Sequence, residues 1–289
     1  MATLYSATLD LARILGNVME SVTSAAGTTT TLIDTTMPRV QPPNDAFNYG
    51  TLWFISGALA GYTAVVTDWV LATSTFTFVN PMTVAAAPGS GSRYAFCDRD
   101  WPRDVLRQAV NMALQTIGGV PDIYTLATFV TVANQEDYTL PATVYNVKKV
   151  EIATSTTSPY YYAPHYHWRE IDGVIKFDTN TAPTSAGYLI RLTYEVQPAE
   201  LDDDADTISD YVHPDRLKWT AAVHALLWKL PLMGEQSQAV NQKLQMAMQM
   251  ERMMATRHKL PTMPKSPHLS RWSGGKDDTY VDEVGTVRL

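Results

Sequence analysis

The sequence predicts a mixed α+β subunit: a small N-terminal β-barrel or sandwich domain inserted beside a helical body with a second antiparallel sheet, then an extended C-terminal arm. Three observations carry that prediction. Residues 28–97 are rich in Thr, Val, Phe, Trp and Tyr and are punctuated by Pro and Gly, the texture of closely spaced short strands. Residues 101–117 hold apolar side chains at helical spacing without a miss. From His258 onward, Pro261, Pro264 and Pro267 and then Ser273-Gly274-Gly275 exclude regular helix. The expected organisation is an N-terminal helix at 1–26, a β-rich domain at 27–98, a helix/antiparallel-sheet/helix body at 99–257 and an arm at 258–289.

Taken in order, Leu11, Ile14, Leu15 and Val18 fall at i, i+3, i+4 and i+7, which predicts a helix over 4–20 that Gly27 and a run of threonines bring to an end. TLIDTT, TLWFIS, TAVVTDW, STFTFV and SRYAFC read as strands. In STFTFV the rings of Phe76 and Phe78 share one face, and core packing is the expected use of these aromatics. Leu106, Ala109, Val110, Ala113, Leu114 and Ile117 line one helix face, with Pro102 in the first turn and Gly118-Gly119 as the stop. TFVTV, VKKVEIAT, GVIKFD and GYLIRLTYEV form the second sheet, with Asp172-Gly173 leading into one of its strands. Leu217, Ala221, Ala225, Leu226 and Trp228 make the packing face of a further helix, and 235–257 form the last one.

Composition narrows the function. A formal net charge of −7 without a local run of Lys or Arg argues against gripping a nucleic-acid backbone. The single cysteine, Cys97, cannot form an internal disulfide and fits a reducing compartment. The N-terminus lacks a basic stretch and a long apolar core, so an amphipathic helix is expected there, not a signal peptide. No apolar run is long enough to suggest a membrane span.

Two clusters invite chemistry. Asp202, Asp203, Asp204 and Asp206 carry the carboxylates that hard cations take. They lack the glycine and the bidentate glutamate of a calcium loop, and adjacent aspartates point apart. A polar turn capping a helix N-terminus is the expected role, so that asparagine at 202–204 should leave assembly intact. His165 and His167 lie two apart in SPYYYAPHYHWRE, a spacing that can begin a zinc site. No third ligand stands near them, and with Tyr160, Tyr161 and Tyr162 they read as a packed or partner-facing loop. Nucleophile-elbow, phosphate-loop, zincin, dinucleotide-binding and C-x-x-C patterns are all missing. The expectation is therefore no catalytic residue, no metal, no cofactor and no enzyme. Met246, Met248, Met250, Met253 and Met254 give the last helix an adaptable surface. In the arm, Trp272, Tyr280, Val281, Val287 and Leu289 are the residues expected to lie on another subunit, partly by strand addition.

WPRDVLRQAVNMALQTI leading into strands, and then GYLIRLTYEVQPAELDDDADTISDYVHPDRLKWTAAVHALLWKL, resemble the head-to-tail adaptor (connector, neck) proteins of tailed bacteriophages over roughly residues 100–258. The resemblance implies a structural virion protein at the neck, assembled in the host cytoplasm. It also implies a homo-oligomeric, twelve-fold ring that binds the portal protein above and a tail or nozzle protein below. Genomic DNA would pass through without specific binding, helped by an acidic lining. The β-rich insert departs from the minimal helical adaptor and leaves other stations open: tail-tube, tail-completion or fibre-attachment protein, or a virion-associated glycan-binding protein or hydrolase.

Overall fold

The computed structural model describes residues 2–16, 18–37, 43–79, 86–142, 144, 146–232 and 237–260, and the backbone of 280–281 and 287–288. Two compact units emerge: Met1–Val120 with Gln197–Thr262, and a second centred on Pro121–Val196.

The first unit opens with helix α1, Leu4–Leu15, whose N-terminus is closed by a reciprocal capping box between Thr3 and Ser6. Gly16, at φ 87°, adopts the left-handed conformation and its N–H reaches the carbonyls of Ala12 and Arg13, a glycine C-cap. The helix expected to run to residue 20 therefore stops four residues after Leu11. Val18, which continued the apolar stripe, instead begins a strand, β1, Val18–Val22. Gly27 terminates nothing; it lies within β2, Ala25–Thr28.

Five further strands follow: β3 Thr31–Ile33, β4 Thr51–Phe54, β5 Thr63–Val70, β6 Thr75–Phe78 and β7 Arg93–Cys97. All pairings are antiparallel, in the order β1-β7-β4-β5-β6-β3-β2. Only Thr23 and Ser24 separate the two terminal strands of that order, and they continue the pairing on both sides. Thr23 N–H donates to Ser92 (2.9 Å) and Ser24 N–H to Ile33 (3.0 Å). One bent segment thus supplies both terminal strands, and the sheet curls round on itself as a barrel. Its interior holds Leu32, Leu52, Phe54, Val66, Trp69, Phe76, Phe78, Tyr94 and Phe96. The alternation in STFTFV is kept, with Phe76 and Phe78 inside and Val79 exposed. β4 is buried at every position because its outer face meets α1, where Trp53 Nε1 donates to Thr8 Oγ1 (3.3 Å) and the Tyr5 hydroxyl to the Phe54 carbonyl (2.8 Å).

Helix α2 spans Arg103–Ile117, with every residue of the expected stripe buried. Pro102 is its N-cap in an extended conformation, one residue before the first turn. The second unit contains β8 Val120–Val130, β9 Asp137–Thr139, β10 Val147–Ala153, β11 Tyr162–His165, β12 Trp168–Ile171, β13 Val174–Phe177 and β14 Leu189–Val196. They form a four-stranded sheet, β11-β10-β14-β8, and a three-stranded sheet, β12-β13-β9. Asp172 and Gly173, both at positive φ, make the tight hairpin between β12 and β13 in the register Ile171↔Val174. The strand expected at 128–132 is longer and lies earlier, and β9, β11 and β12 were not foreseen. Val150, Trp168, Ile175, Phe177, Ile190, Leu192 and Tyr194 are in this unit's core.

Back in the first unit, helix α3, Pro214–Lys229, packs against α1, α2 and helix α4, Ser237–Arg257. Tyr280–Val281 (β15) pairs antiparallel with Val287–Arg288 (β16). Trp272, Leu289 and the proline-rich stretch of the arm lie outside the described residues. Among the described residues no helix is long and apolar enough to cross a membrane.

Candidate functional site

The acidic turn is a structural junction. Leu201–Asp206 is read by one stripe of α2, where Arg103, Arg107 and Asn111 stand one helical turn apart. Asn111 exchanges two hydrogen bonds with the Leu201 backbone, Nδ2 to its carbonyl (2.9 Å) and Oδ1 from its N–H (3.0 Å). Arg107 pairs with Asp202, whose side chain is 71% exposed. Arg103 Nη2 donates to Asp204 (3.0 Å), whose side chain is only 10% exposed. Asp204 also accepts from the Thr63 N–H (2.7 Å) and Thr63 hydroxyl (2.8 Å) at the start of β5. Arg103 Nε closes the circuit on Thr63 Oγ1 at 2.6 Å.

The turn also serves α1. The first-turn N–H groups of Leu4 and Tyr5 donate to the carbonyls of Asp206 and Asp204 at 3.0 and 3.1 Å, satisfying donors that a helix cannot satisfy itself. Asp206 in turn accepts from the N–H groups of Asp202 and Asp203 (2.7 and 2.9 Å). Those bonds hold its carboxyl below the usual carboxylate range. The expected capping role is thus carried by carbonyls acting on α1, the helix nearly two hundred residues upstream in sequence. His213, not an aspartate, caps α3, its Nδ1 accepting from Asp215 N–H at 3.1 Å. Asp204 is no solvated spacer, because it ties the barrel to α2. The polar stripe Arg103/Arg107/Asn111 was the signal sequence reasoning passed over: two arginines and an amide at i, i+4 and i+8 on one helix face.

Nothing in this junction resembles a catalytic pair, since its buried carboxylate is engaged by guanidinium, hydroxyl and backbone donors. It fastens elements together. Cys97 is buried, and burial with nearby Asp98 and Asp100 pushes its thiol up to about 12, far from a reactive thiolate.

Leu217, Ala221, Ala225 and Leu226 are buried on α3, whereas Trp228 remains 40% exposed. Leu227, Leu232, Met246 and Met253 are also exposed, and Met254 is buried. In the tyrosine-rich stretch, His165 ends β11 and packs edge-on against Phe177 (4.7 Å); burial and neighbouring His167 keep its imidazole below the ordinary range. His167 lies beyond the strand, in the turn before β12, so the two histidines do not share a strand face. Tyr162 stacks under the Arg191 guanidinium at 4.0 Å, and Tyr160 and Tyr161 are exposed.

Residues 82–267 match the family described as SU10 adaptor protein, more than half of the chain. The chain belongs to that family. Family membership makes this SU10 adaptor a phage structural protein and a virion component. The matched stretch contains β7, α2, both sheets of the second unit, the acidic junction, α3 and α4. Strands β1–β6 of the barrel precede it. No match was found among curated proteins.

Proposed function

We propose that this SU10 adaptor forms a ring that joins the phage portal to the tail and lines the DNA exit channel, with residues 258–289 fastening it to the portal. The observation that carries the reading is the family match across α2, the second unit, α3 and α4. The helices add support. Leu227, Trp228, Leu232, Met246 and Met253 are 40–63% exposed, apolar surface that a neighbouring copy in a ring would cover. Tyr160 and Tyr161 are assigned to a second, partner-facing surface. The net charge of −7 suits a channel that must not hold DNA.

Negative-stain imaging of the chain alone, with its cognate portal, and with the portal after deletion of 258–289 tests the proposal. Monomers alone, rings on the portal, and loss of those rings on deletion are expected. Tubes, trimers or rings formed without portal, together with no portal binding, would move the protein to a tail or fibre station.

A further inference from the structure

The ends of α3 and α4 bring together three metal-ligating side chains that the adaptor role leaves unused. His213 precedes α3, Asp215 lies in its first turn, and His258 follows the last residue of α4. Their donor atoms all lie within 4.8 Å of one another. The two imidazoles are stacked, centroids 3.5 Å apart and planes within 9°. Asp215 Oδ2 stands 3.9 Å from His213 Nδ1, with both side chains 43% exposed. Arg216 Nη1 donates to the His258 carbonyl (3.2 Å), and the His258 N–H continues the α4 ladder to Met254 (2.8 Å). His258 is therefore anchored through its backbone by α4 and by the Arg216 side chain of α3.

We propose that His213, Asp215 and His258 form a binding site for a divalent cation of the zinc type, fastening the start of α3 to the end of α4. Two imidazoles and one carboxylate suit zinc, cobalt or nickel and not magnesium or calcium, which prefer oxygen donors. Metal bonds of about 2.0–2.2 Å set tetrahedral donors about 3.4 Å apart. Closing the observed spread to that requires the two rings to leave their parallel stack, because the lone pair of an imidazole nitrogen lies in its ring plane. Three protein ligands leave a further position for water.

The surroundings set the affinity. Lys218, bound to Asp215 Oδ1, competes for the carboxylate, and the cap from His213 Nδ1 to Asp215 N–H competes for that nitrogen. Binding is therefore moderate in strength and is tightened by removing Lys218.

The test is zinc titration of the tag-free full chain by calorimetry, with cobalt absorption as a spectroscopic readout. One zinc per chain, a visible cobalt band, a higher melting temperature with zinc, and no heat from magnesium are expected. His258→Gln and His213→Asn should each weaken zinc by at least about tenfold. Asparagine is itself a good N-cap, so His213→Asn preserves α3, and His258→Gln lies outside either helix. His224→Ala should bind as the parent does, and Lys218→Ala more tightly. No zinc binding, or an affinity that His258→Gln and His213→Asn leave unchanged, overturns the proposal.

Discussion

Replacing Asp204 by alanine tests the junction most directly. Its carboxylate accepts from Thr63 N–H, Thr63 Oγ1 and Arg103 Nη2 at 2.7, 2.8 and 3.0 Å. Truncation leaves an N–H of a residue that is 3% exposed and one arm of a guanidinium without their acceptor. A hydrogen bond to a charged group is worth about 1.5–3 kcal/mol net, and removing one partner of a buried ion pair costs about 3–5 kcal/mol. The Arg103 side chain is 26% exposed, so water recovers part of that loss. The three bonds also share one acceptor and are not additive. We expect Asp204→Ala to cost about 3 kcal/mol and Asp204→Asn, which keeps the shape and one acceptor oxygen, about 1–2 kcal/mol. Asp203 is exposed and contributes its backbone carbonyl, which accepts from Asp206 N–H at 3.0 Å, so Asp203→Ala should change stability by less than about 0.5 kcal/mol. Urea unfolding of the three variants gives the values. If Asp204→Ala proves as mild as Asp203→Ala, the junction does not tie barrel to helix as argued. Asparagine across 202–204 would then be harmless, as the sequence reading held.

Three further outcomes follow from burial and geometry. Leu226 is 3% exposed on α3, and Leu226→Asp should cost about 4 kcal/mol or more by burying an unpaired charge; soluble, normally melting protein would place that helix face wrongly. A Cβ at Gly27 would sit 2.0 Å from the Thr31 carbonyl oxygen, so Gly27→Ala should force β2 from β3 and lower the melting temperature, whereas Gly61→Ala, with open space around it, should suffer only backbone strain. Burial raises the Asp34 carboxyl, but hydrogen bonds from Ser21, Thr36 and Tyr94 outweigh it and hold the group below the usual carboxylate range. A lowered folded value gives stability that is complete above the unfolded value of about 4 and is lost as pH falls through the folded one. Asp34→Asn should therefore be destabilising at neutral pH, and parent and variant should converge in acid; a gap independent of pH would refute that linkage.

The sequence by itself determined the elements whose period is unambiguous. The stripe from Leu106 to Ile117 is a helix because its spacing admits no other packing. Phe76 and Phe78 point inward because alternate residues of a strand share a face. Asp172-Gly173 leads into a strand because both residues accept positive φ, although the strand that precedes it, β12, was not legible. Val18 was misread because a single valine fits a helical stripe and a strand equally, and only the left-handed turn at Gly16 separates the two. AAGT has too little apolar pattern to announce β2. Tertiary structure alone decided barrel closure, since that depends on Thr23 and Ser24 pairing with Ser92 and Ile33. It also decided the partners of the acidic turn and the meeting of His213 with His258. Asp204 reaches Thr63 across 141 positions and Arg103 across 101. Periodicity reports only which face of an element is buried, whereas charge pairing and ligand convergence depend on which faces the fold brings together.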